Sequence, residues 1–366
     1  AVQIVKRLDD LCDAFASLAQ REGDIPMPSY THLQRAQPIS LGGELMAWLA
    51  AFERAANRVK LLHLLNDESP LGSGAIAGSS LPLNRPQSAD LLGFGGIALS
   101  SIDATASRDI AVDFLYSLSM ISMNLSRWAE QWIIYASTEF SFITIDGKYT
   151  TGSSMMPQKR NPDMLELIRG RAGSVYGQLV GLLTILKGLP IGYNRDLQED
   201  KRLVFDAYDR VNDSLEMAQR IVSTASFRAE KIAKGLDHGF LDATSLAEYF
   251  VTRGVPFRTS HQIVGGLVRL CEQKGFHALA QLPLEDFVAA CKDAGAGNKA
   301  CDKDVYDWLG ADKVVQRYRS LGNAGVSGYR TLLGQWLARH DEDNAAKKSS
   351  GKKAGGKKAS RGKAKK

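Results

Sequence analysis

A polar, cationic loop is the part of this 366-residue sequence best equipped for chemistry. Residues 150–163 read TTGSSMMPQKRNPD, which places two serines, a lysine, an arginine and an asparagine within nine residues. Consecutive backbone amides in such a loop can cradle an anion, and the helix predicted to begin at Pro162 adds positive potential. The alternative is a solvated loop that only caps the helix. The density of functional groups favours an anion-binding site.

His32 is a second candidate, because a histidine gains and loses its proton near neutral pH and so suits proton transfer. It follows Pro26 and Pro28 in a segment with little helical character. An isolated histidine more often has a structural role, so the residue type alone leaves both readings open. The other histidines and the cysteines lack the spacing of metal ligands, so we predict no metal site and no cofactor: His63, His238, His261, His277, His340, Cys12, Cys271, Cys291 and Cys301.

These segments together resemble the fumarase/aspartase superfamily, whose members release fumarate. The loop resembles the GSSxMPxKxNP signature, a long motif with little degeneracy. Three further segments are similar to argininosuccinate lyases in particular: SYTHLQRAQP at 29–38, YNRDLQEDK at 193–201, and GFLDATSLAEYFVTRGVPFRTSHQIVG at 239–265. The resemblance covers residues 1 to about 339. It implies the elimination of argininosuccinate to arginine and fumarate.

The implied reaction removes a proton from the carbon beside a carboxylate and develops a doubly charged intermediate. Such an intermediate needs fixed donors and cations where the charge appears, and Lys159, Asn161 and the loop amides fit that need. The resemblance places the base at Ser153. A serine requires a cationic, water-excluded site to ionise, which a closing loop would supply.

The resemblance also pairs His32 with Glu166, which would orient the imidazole and favour its protonated form. His32 would then be the acid toward the leaving guanidino nitrogen, or would only position the substrate. Taken alone, Glu166 is an ordinary acid in the first turn of a helix, where the dipole favours it. The residues matched to substrate binding are Thr31, Ser154, Tyr193, Gln198 and Lys201. Without the resemblance they would be ordinary polar surface residues.

Long helices must position these residues, because apolar side chains recur every three or four positions along much of the chain. One apolar face covers 41–62, and the segment 103–137 contains neither Pro nor Gly. Further helices are predicted from Pro162 towards Leu189 and from about 200 to 225. The third helix carries small residues that permit close helix approach: Gly170, Gly173, Gly177 and Gly181. No convincing strand alternation appears.

The predicted fold is therefore all-α, a long-helix bundle of the fumarase/aspartase type with a small helical C-terminal domain. We predict a central bundle domain at 1–235, the C-terminal domain at 236–340 and a disordered Lys-rich tail at 341–366. Helices with such long apolar faces usually need partners beyond one chain. The resemblance implies a homotetramer whose active sites are shared between subunits.

The positive net charge of the sequence belongs to the tail. Residues 347–366 contain nine lysines and one arginine without an acid, and removing them takes the net charge from +6 to about −4. A segment of this composition buries too little apolar surface to fold. We predict a solubilising extension that can also bind nucleic acids weakly, without sequence preference.

Other classes of protein fit the sequence less well. No apolar run reaches the length of a membrane span, and scattered cysteines favour a reducing, cytoplasmic setting. Ala1 reads as mid-helix, so we expect the family's N-terminal segment, with further substrate contacts, to precede it. Ser107 and Asn124 stand where the family commonly has an acid and a histidine. The alternatives are another fumarate-releasing lyase, such as adenylosuccinate lyase, a non-catalytic crystallin-like relative, and a nucleic-acid-binding protein suggested only by the tail.

Overall fold

Helices account for most of the chain in the computed structural model, which describes residues 1–65, 67–236, 238–297 and 300–340. The helices are α1 (Val2–Glu22), α2 (Leu41–Leu65), α3 (Arg85–Leu92), α4 (Ser101–Ala106), α5 (Asp109–Ala136), α6 (Asp163–Leu186), α7 (Asp200–Thr224), α8 (Ala229–Leu236), α9 (Ala243–Thr252), α10 (Phe257–Lys274), α11 (Leu284–Asp293), α12 (Ala311–Arg317) and α13 (326–340). Short 3-10 helices lie at Gly147–Tyr149, Arg195–Glu199, Leu279–Gln281 and Lys303–Trp308. The all-α prediction is confirmed. The predicted tail at 341–366 lies outside the described residues.

Strands are short and pair two by two. They are β1 (Pro26–Thr31), β2 (Gln34–Ser40), β3 (Glu68–Ser69), β4 (Gly96–Ile97), β5 (Ile143–Thr144), β6 (Thr151–Gly152), β7 (Arg160–Asn161) and β8 (Ser226–Phe227). β3 pairs with β4 in parallel, whereas β1 with β2, β5 with β8 and β6 with β7 are antiparallel. The β1–β2 hairpin escaped the sequence analysis because it lacks period-two burial. Met27 and Pro28 are both buried, and the register shifts between Pro28 and Tyr30.

The chain divides into two compact units. The first unit comprises Ala1–Leu18 and Ala47–Arg228, and the second comprises Ala19–Met46 and the described residues from Ala229 onward. Both cuts fall inside helices, α1 and α2, because each helix contributes residues to the two units. The domain boundary predicted at 235/236 stays a prediction.

An aromatic cluster from α1, α2 and α5 forms the centre of the first unit. Phe15, Phe52, Trp128 and Trp132 are fully buried, with ring centroids 5.9 Å apart for the phenylalanines and 4.9 Å apart for the tryptophans. Each such side chain contributes about 2 kcal/mol or more through its burial. The apolar face predicted over 41–62 is largely buried, since Leu41, Leu45, Phe52, Ala55, Val59 and Leu62 are buried, although Trp48 is only half-buried.

The prediction of one uninterrupted helix over 103–137 is wrong, because α4 ends at Ala106 and α5 begins at Asp109. Ser107 between them is extended, with φ −62° and ψ 139°, and its hydroxyl accepts the N–H of Asp109 at 3.3 Å. The break leaves the Arg108 side chain free to reach α7. The predicted third and fourth helices are present as α6 and α7, and α6 ends at Leu186 rather than near Leu189.

The second unit packs the β1–β2 hairpin against α8 and α12. Its own core is built from α9, α10 and α11, with Tyr249, Phe250 and Phe287 fully buried. Helix α13 packs against the start of α2, directly after the hairpin. The ring of Tyr329 occupies the space that a side chain at Gly42 would need. The Tyr329 hydroxyl also donates a hydrogen bond to Asp24.

Candidate active site

The tip of the β1–β2 hairpin displays two of the predicted residues. Thr31 ends β1 opposite Gln34, and His32 and Leu33 form the two-residue turn with φ of 56° and 57°. Positive φ at both positions is the mark of a type I′ turn, which matches the twist of the strands. Histidine tolerates this conformation better than leucine does, so Leu33 is the strained member. Thr31 and His32 are exposed, and Leu33 is 69% exposed.

Hydrogen bonds at the base of this hairpin connect β2 to residues 318–324. The Tyr318 hydroxyl donates to the carbonyl of Pro38 at 3.0 Å, and burial raises the pKa of Tyr318 to about 12. The Ser40 hydroxyl donates to the carbonyl of Ala324 at 2.9 Å. Segments distant in sequence therefore anchor the C-terminal end of β2.

The polar loop predicted to hold the base is closed by the strand pair β6–β7. Thr151 faces Asn161 and Gly152 faces Arg160, so the seven residues 153–159 form a protruding loop. Inside it, the Ser153 Oγ accepts the backbone N–H groups of Met155 at 3.3 Å and Met156 at 3.1 Å. Two amide donors stabilise an alkoxide more than a hydroxyl, so this geometry favours ionisation of Ser153.

The other residues of this loop lie around Ser153. Ser154 and Lys159 are exposed, whereas Ser153 and Asn161 are half-buried. The backbone N–H of Lys159 donates to the carbonyl of Met156 at 3.0 Å, which fixes the turn that leads back to β7. Ser153 is thus half-buried, and its hydroxyl oxygen accepts two backbone amides.

Helix α6 follows the loop at once, with Pro162 at its N-cap and Asp163 as its first residue. Glu166 is an exposed acid in its first turn. The unpaired N–H groups of this turn add positive potential next to the loop. Thr31 and His32 belong to the second unit and Glu166 to the first, so the predicted His32–Glu166 pair stays a prediction.

Tyr193, Gln198 and Lys201 gather at the start of α7. The Gln198 amide donates to the Tyr193 hydroxyl at 2.8 Å. The Lys201 ammonium lies 3.3 Å from Asp200 Oδ1, and its side chain is 66% exposed. The structure therefore brings these three predicted binding residues into one exposed polar region.

Arg108 and Asp200 are residues that the sequence analysis missed. Arg108 Nε lies 2.7 Å from Asp200 Oδ2, and the Asp200 side chain is only 11% exposed. One buried carboxylate thus holds two cations, which leaves a net positive charge beside Lys201 for an anionic ligand. The sequence offers only two local signals for this contact, the Arg-Asp pair at 108–109 and the acid directly before Lys201.

Two groups of predicted site residues lie at opposite ends of the antiparallel pair formed by α6 and α7. The loop group comprises residues 153–161, and the α7 group comprises Tyr193, Gln198 and Lys201. The side of Gly181 faces Leu203, and the Gln178 amide donates to Asp206, so Lys201 lies near the end of α6. Ser153 precedes the start of α6. Since α6 has 24 residues at about 1.5 Å each, about 36 Å separates the two ends. Within the first unit, these two groups do not converge on one site.

The described residues also bear on the metal-site and membrane classes of protein. Among the described residues, no group of three or more His, Cys, Asp or Glu side chains is arranged to hold a metal ion. The helices in the described ranges include none that is long and apolar enough to cross a membrane. Asn124, where the family commonly has histidine, is buried and donates to the carbonyl of Ala51 at 3.5 Å.

The chain matches two family models. One, described as "Lyase", matches residues 1–177, and the other, described as "Argininosuccinate lyase C-terminal", matches residues 240–316. Curated relatives agree. The argininosuccinate lyase of Geobacillus thermodenitrificans is 43% identical over 331 residues, which are 90% of this chain and 70% of the relative. That of Desulforamulus reducens is 46% identical over 314 residues, 86% of this chain and 66% of the relative.

Solved structures show the same fold. EDDS lyase in complex with formate superimposes with a TM-score of 0.83 at 27% identity, covering 94% of this chain and 69% of the other. Class II fumarase from Schistosoma mansoni, at 16% identity, shares the fold with a TM-score of 0.69, covering 85% and 66%. These similarities confirm the predicted fumarase/aspartase-type bundle. By its sequence matches along most of its length, the chain belongs to the argininosuccinate lyase family.

Proposed function

We propose that this chain catalyses the reversible elimination of argininosuccinate to arginine and fumarate, a step of arginine biosynthesis. The observation that carries the proposal is the Ser153 hydroxyl, whose oxygen accepts two backbone N–H groups in the signature loop. Elimination from the carbon beside a carboxylate needs a base of this kind, and the family to which the chain belongs is named for this substrate.

In the proposed mechanism, ionised Ser153 removes the proton from the carbon beside the carboxylate. Lys159, Asn161 and the loop amides stabilise the doubly charged intermediate that forms. The electron pair then forms the C=C bond of fumarate as the C–N bond breaks, and the guanidino nitrogen takes a proton and leaves as arginine. His32, oriented by Glu166, supplies that proton or positions the substrate.

Substrate binding is assigned to Thr31, Ser154, Tyr193, Gln198 and Lys201. The Tyr193–Gln198 hydrogen bond orients two uncharged polar groups side by side. Lys201, with the net positive charge left beside Asp200, suits a carboxylate of the substrate. The exposed position of these groups leaves them accessible to a ligand.

We further infer that the chain works as a homotetramer with active sites shared between subunits. The separation of about 36 Å between the two ends of α6 supports this, because copies packed side by side could bring opposite ends together. α6 also exposes Leu167, Val180 and Leu183, and a side chain added at Gly170, Gly173 or Gly177 would meet no atom of the described residues within 4 Å. That face is free for another helix.

The four cysteines are buried and form no disulfide, which fits the proposed cytoplasmic setting.

The direct test is to assay the purified chain for fumarate release, by ultraviolet absorbance, with argininosuccinate and adenylosuccinate in parallel. Turnover of argininosuccinate that Ser153→Ala abolishes would support the proposal. Turnover of adenylosuccinate alone would assign the chain to the other lyase. Absence of turnover with either substrate in a folded, oligomeric protein would favour the crystallin-like alternative.

A further inference from the structure

A cavity of about 800 Å³ opens in the second unit, and none of the residues that line it takes part in the proposed reaction. Its walls come from α8, the first residue of β1, the turn before α11 and the start of α12. This volume lies in the range of sites that hold small molecules. The cavity is therefore large enough for a ligand, and its lining decides which kind.

Two carboxylates flank the backbone of Gly310 on the cavity wall. The Gly310 N–H donates to Asp242 Oδ2 at 2.9 Å, and a Cβ added at Gly310 would lie 3.0 Å from Asp312 Oδ1. Asp242 is 8% exposed, whereas Asp312 is exposed. Burial raises the pKa of Asp242, which reflects the cost of its charge in this position.

No cation offsets these carboxylates within the described part of the cavity. Neither lysine nor arginine is among its lining residues. Neither Asp242 nor Asp312 belongs to an ion pair found among the described residues. Two like charges beside one glycine repel each other, so a cation bound between them would stabilise both.

A pair of imidazoles forms another wall. The rings of His238 and His277 lie 4.9 Å apart at 75°, and both are exposed. Gln281 holds this turn, because its Oε1 accepts the N–H groups of His277 at 2.7 Å and Ala278 at 3.0 Å. A guanidinium is planar, donates up to five hydrogen bonds and stacks on aromatic rings. An ammonium shares the charge but not the flat face.

We propose that this cavity binds a small molecule that ends in a guanidinium or ammonium group. Asp242 and Asp312 are the counterions, and the imidazoles of His238 and His277 are the surface on which a planar head group stacks. The apolar side chains of the remaining wall, among them Leu236 and Leu241, cover the ligand's carbon atoms.

The test is calorimetric titration of the full chain with three probes that share an n-butyl chain: n-butylguanidinium, n-butylammonium and the neutral n-butylurea. We expect the two cations to bind and the urea not to bind. Asp312→Asn and Asp242→Asn should each weaken cation binding at least about tenfold, the scale of a lost charged hydrogen bond. Asp293→Asn removes an exposed charge from α11 outside the cavity and should change nothing.

Further variants distinguish the head groups and the site. His238→Ala should weaken n-butylguanidinium more than n-butylammonium, because only the former stacks. Equal binding of n-butylurea would overturn the proposal, as would cation binding that neither Asp312→Asn nor Asp242→Asn weakens. Asp312 is exposed, so its variant keeps the test decisive even if Asp242→Asn unfolds. The titration measures no turnover, so its outcome is independent of the proposed function.

Discussion

The Arg108 guanidinium lies 2.7 Å from the Asp200 carboxylate, 92 residues further along the chain, and the same carboxylate contacts the Lys201 ammonium. Arg108 reaches it from the break between α4 and α5, and Asp200 is the first residue of α7. This contact links a helix break to the orientation of a proposed substrate-binding lysine. We therefore expect Arg108 to position Lys201, which the following variant tests.

Arg108→Gln should raise KM for argininosuccinate about tenfold while changing kcat less. Without the guanidinium, Asp200 neutralises Lys201 and draws it away from the substrate. The loss of one partner of a buried pair also destabilises the fold, by about 3 kcal/mol or more, so circular dichroism must show that the variant is folded. Arg210→Gln, which breaks an exposed pair within α7, is the matched control. An unchanged KM in folded Arg108→Gln would contradict the positioning role.

Ser153→Ala should lower kcat by at least about 10³, the scale of lost general-base catalysis. Binding of substrate should change little, because the alanine keeps the loop's amides and cations. Steady-state kinetics and equilibrium binding of argininosuccinate measure the two effects separately. Ser223→Ala, at an exposed hydroxyl on α7, controls for the loss of a serine. More than a tenth of normal turnover in Ser153→Ala would exclude Ser153 as the base.

Mixing two inactive variants should restore activity if sites are shared between subunits. Ser153→Ala and Lys201→Met carry their lesions at opposite ends of α6, so some sites in mixed oligomers would contain neither lesion. The measurement is turnover after subunit exchange, with exchange followed by mass spectrometry of differently labelled chains. Each variant mixed with itself is the control. Demonstrated exchange without recovery would place both residues in the same chain's site.

Asp242 should make the folded state more stable in mild acid than at neutral pH. Burial raises the pKa of its carboxyl above the ordinary value of about 3.9, so the folded state keeps the proton longer than the unfolded state does. Its contribution is complete below that ordinary value and is lost as the pH rises through the raised pKa. Chemical denaturation across this pH range should show that Asp242→Asn lacks this loss. Parallel curves for the two proteins would argue against a raised pKa.

Truncation after His340 should leave thermal stability and kcat nearly unchanged and should remove weak binding to DNA or RNA. The cut preserves the stacking of Trp336 on His340 at 4.8 Å. Binding by the full chain should fall steeply with salt, because each neutralised phosphate releases counterions. Comparing the two proteins across a salt series tests both points. A large loss of turnover at physiological salt would mean that residues 341–366 support the enzyme.

Local sequence was enough to predict most of the long helices and to single out the loop at 150–163 as a candidate site. The apolar spacing over 41–62 predicted the buried face of α2, because a helix places every third or fourth residue on one side. The loop at 150–163 was recognisable because its groups are adjacent in sequence. The family resemblance followed from the same local motifs, and the comparisons confirmed it.

Other features depend on residues that are distant in sequence, and only the tertiary structure decided them. The β1–β2 hairpin lacks alternating burial, and helices from a distant part of the chain cover it, α8 on β1 and α12 on both strands. The break at Ser107 contains neither Pro nor Gly, and the contact that it permits, between Arg108 and Asp200, joins residues 92 positions apart. The separation of Ser153 from Lys201 follows from the length and antiparallel packing of α6 and α7. The sequence determines which functional groups are present, whereas the packing of the helices sets the distances between them.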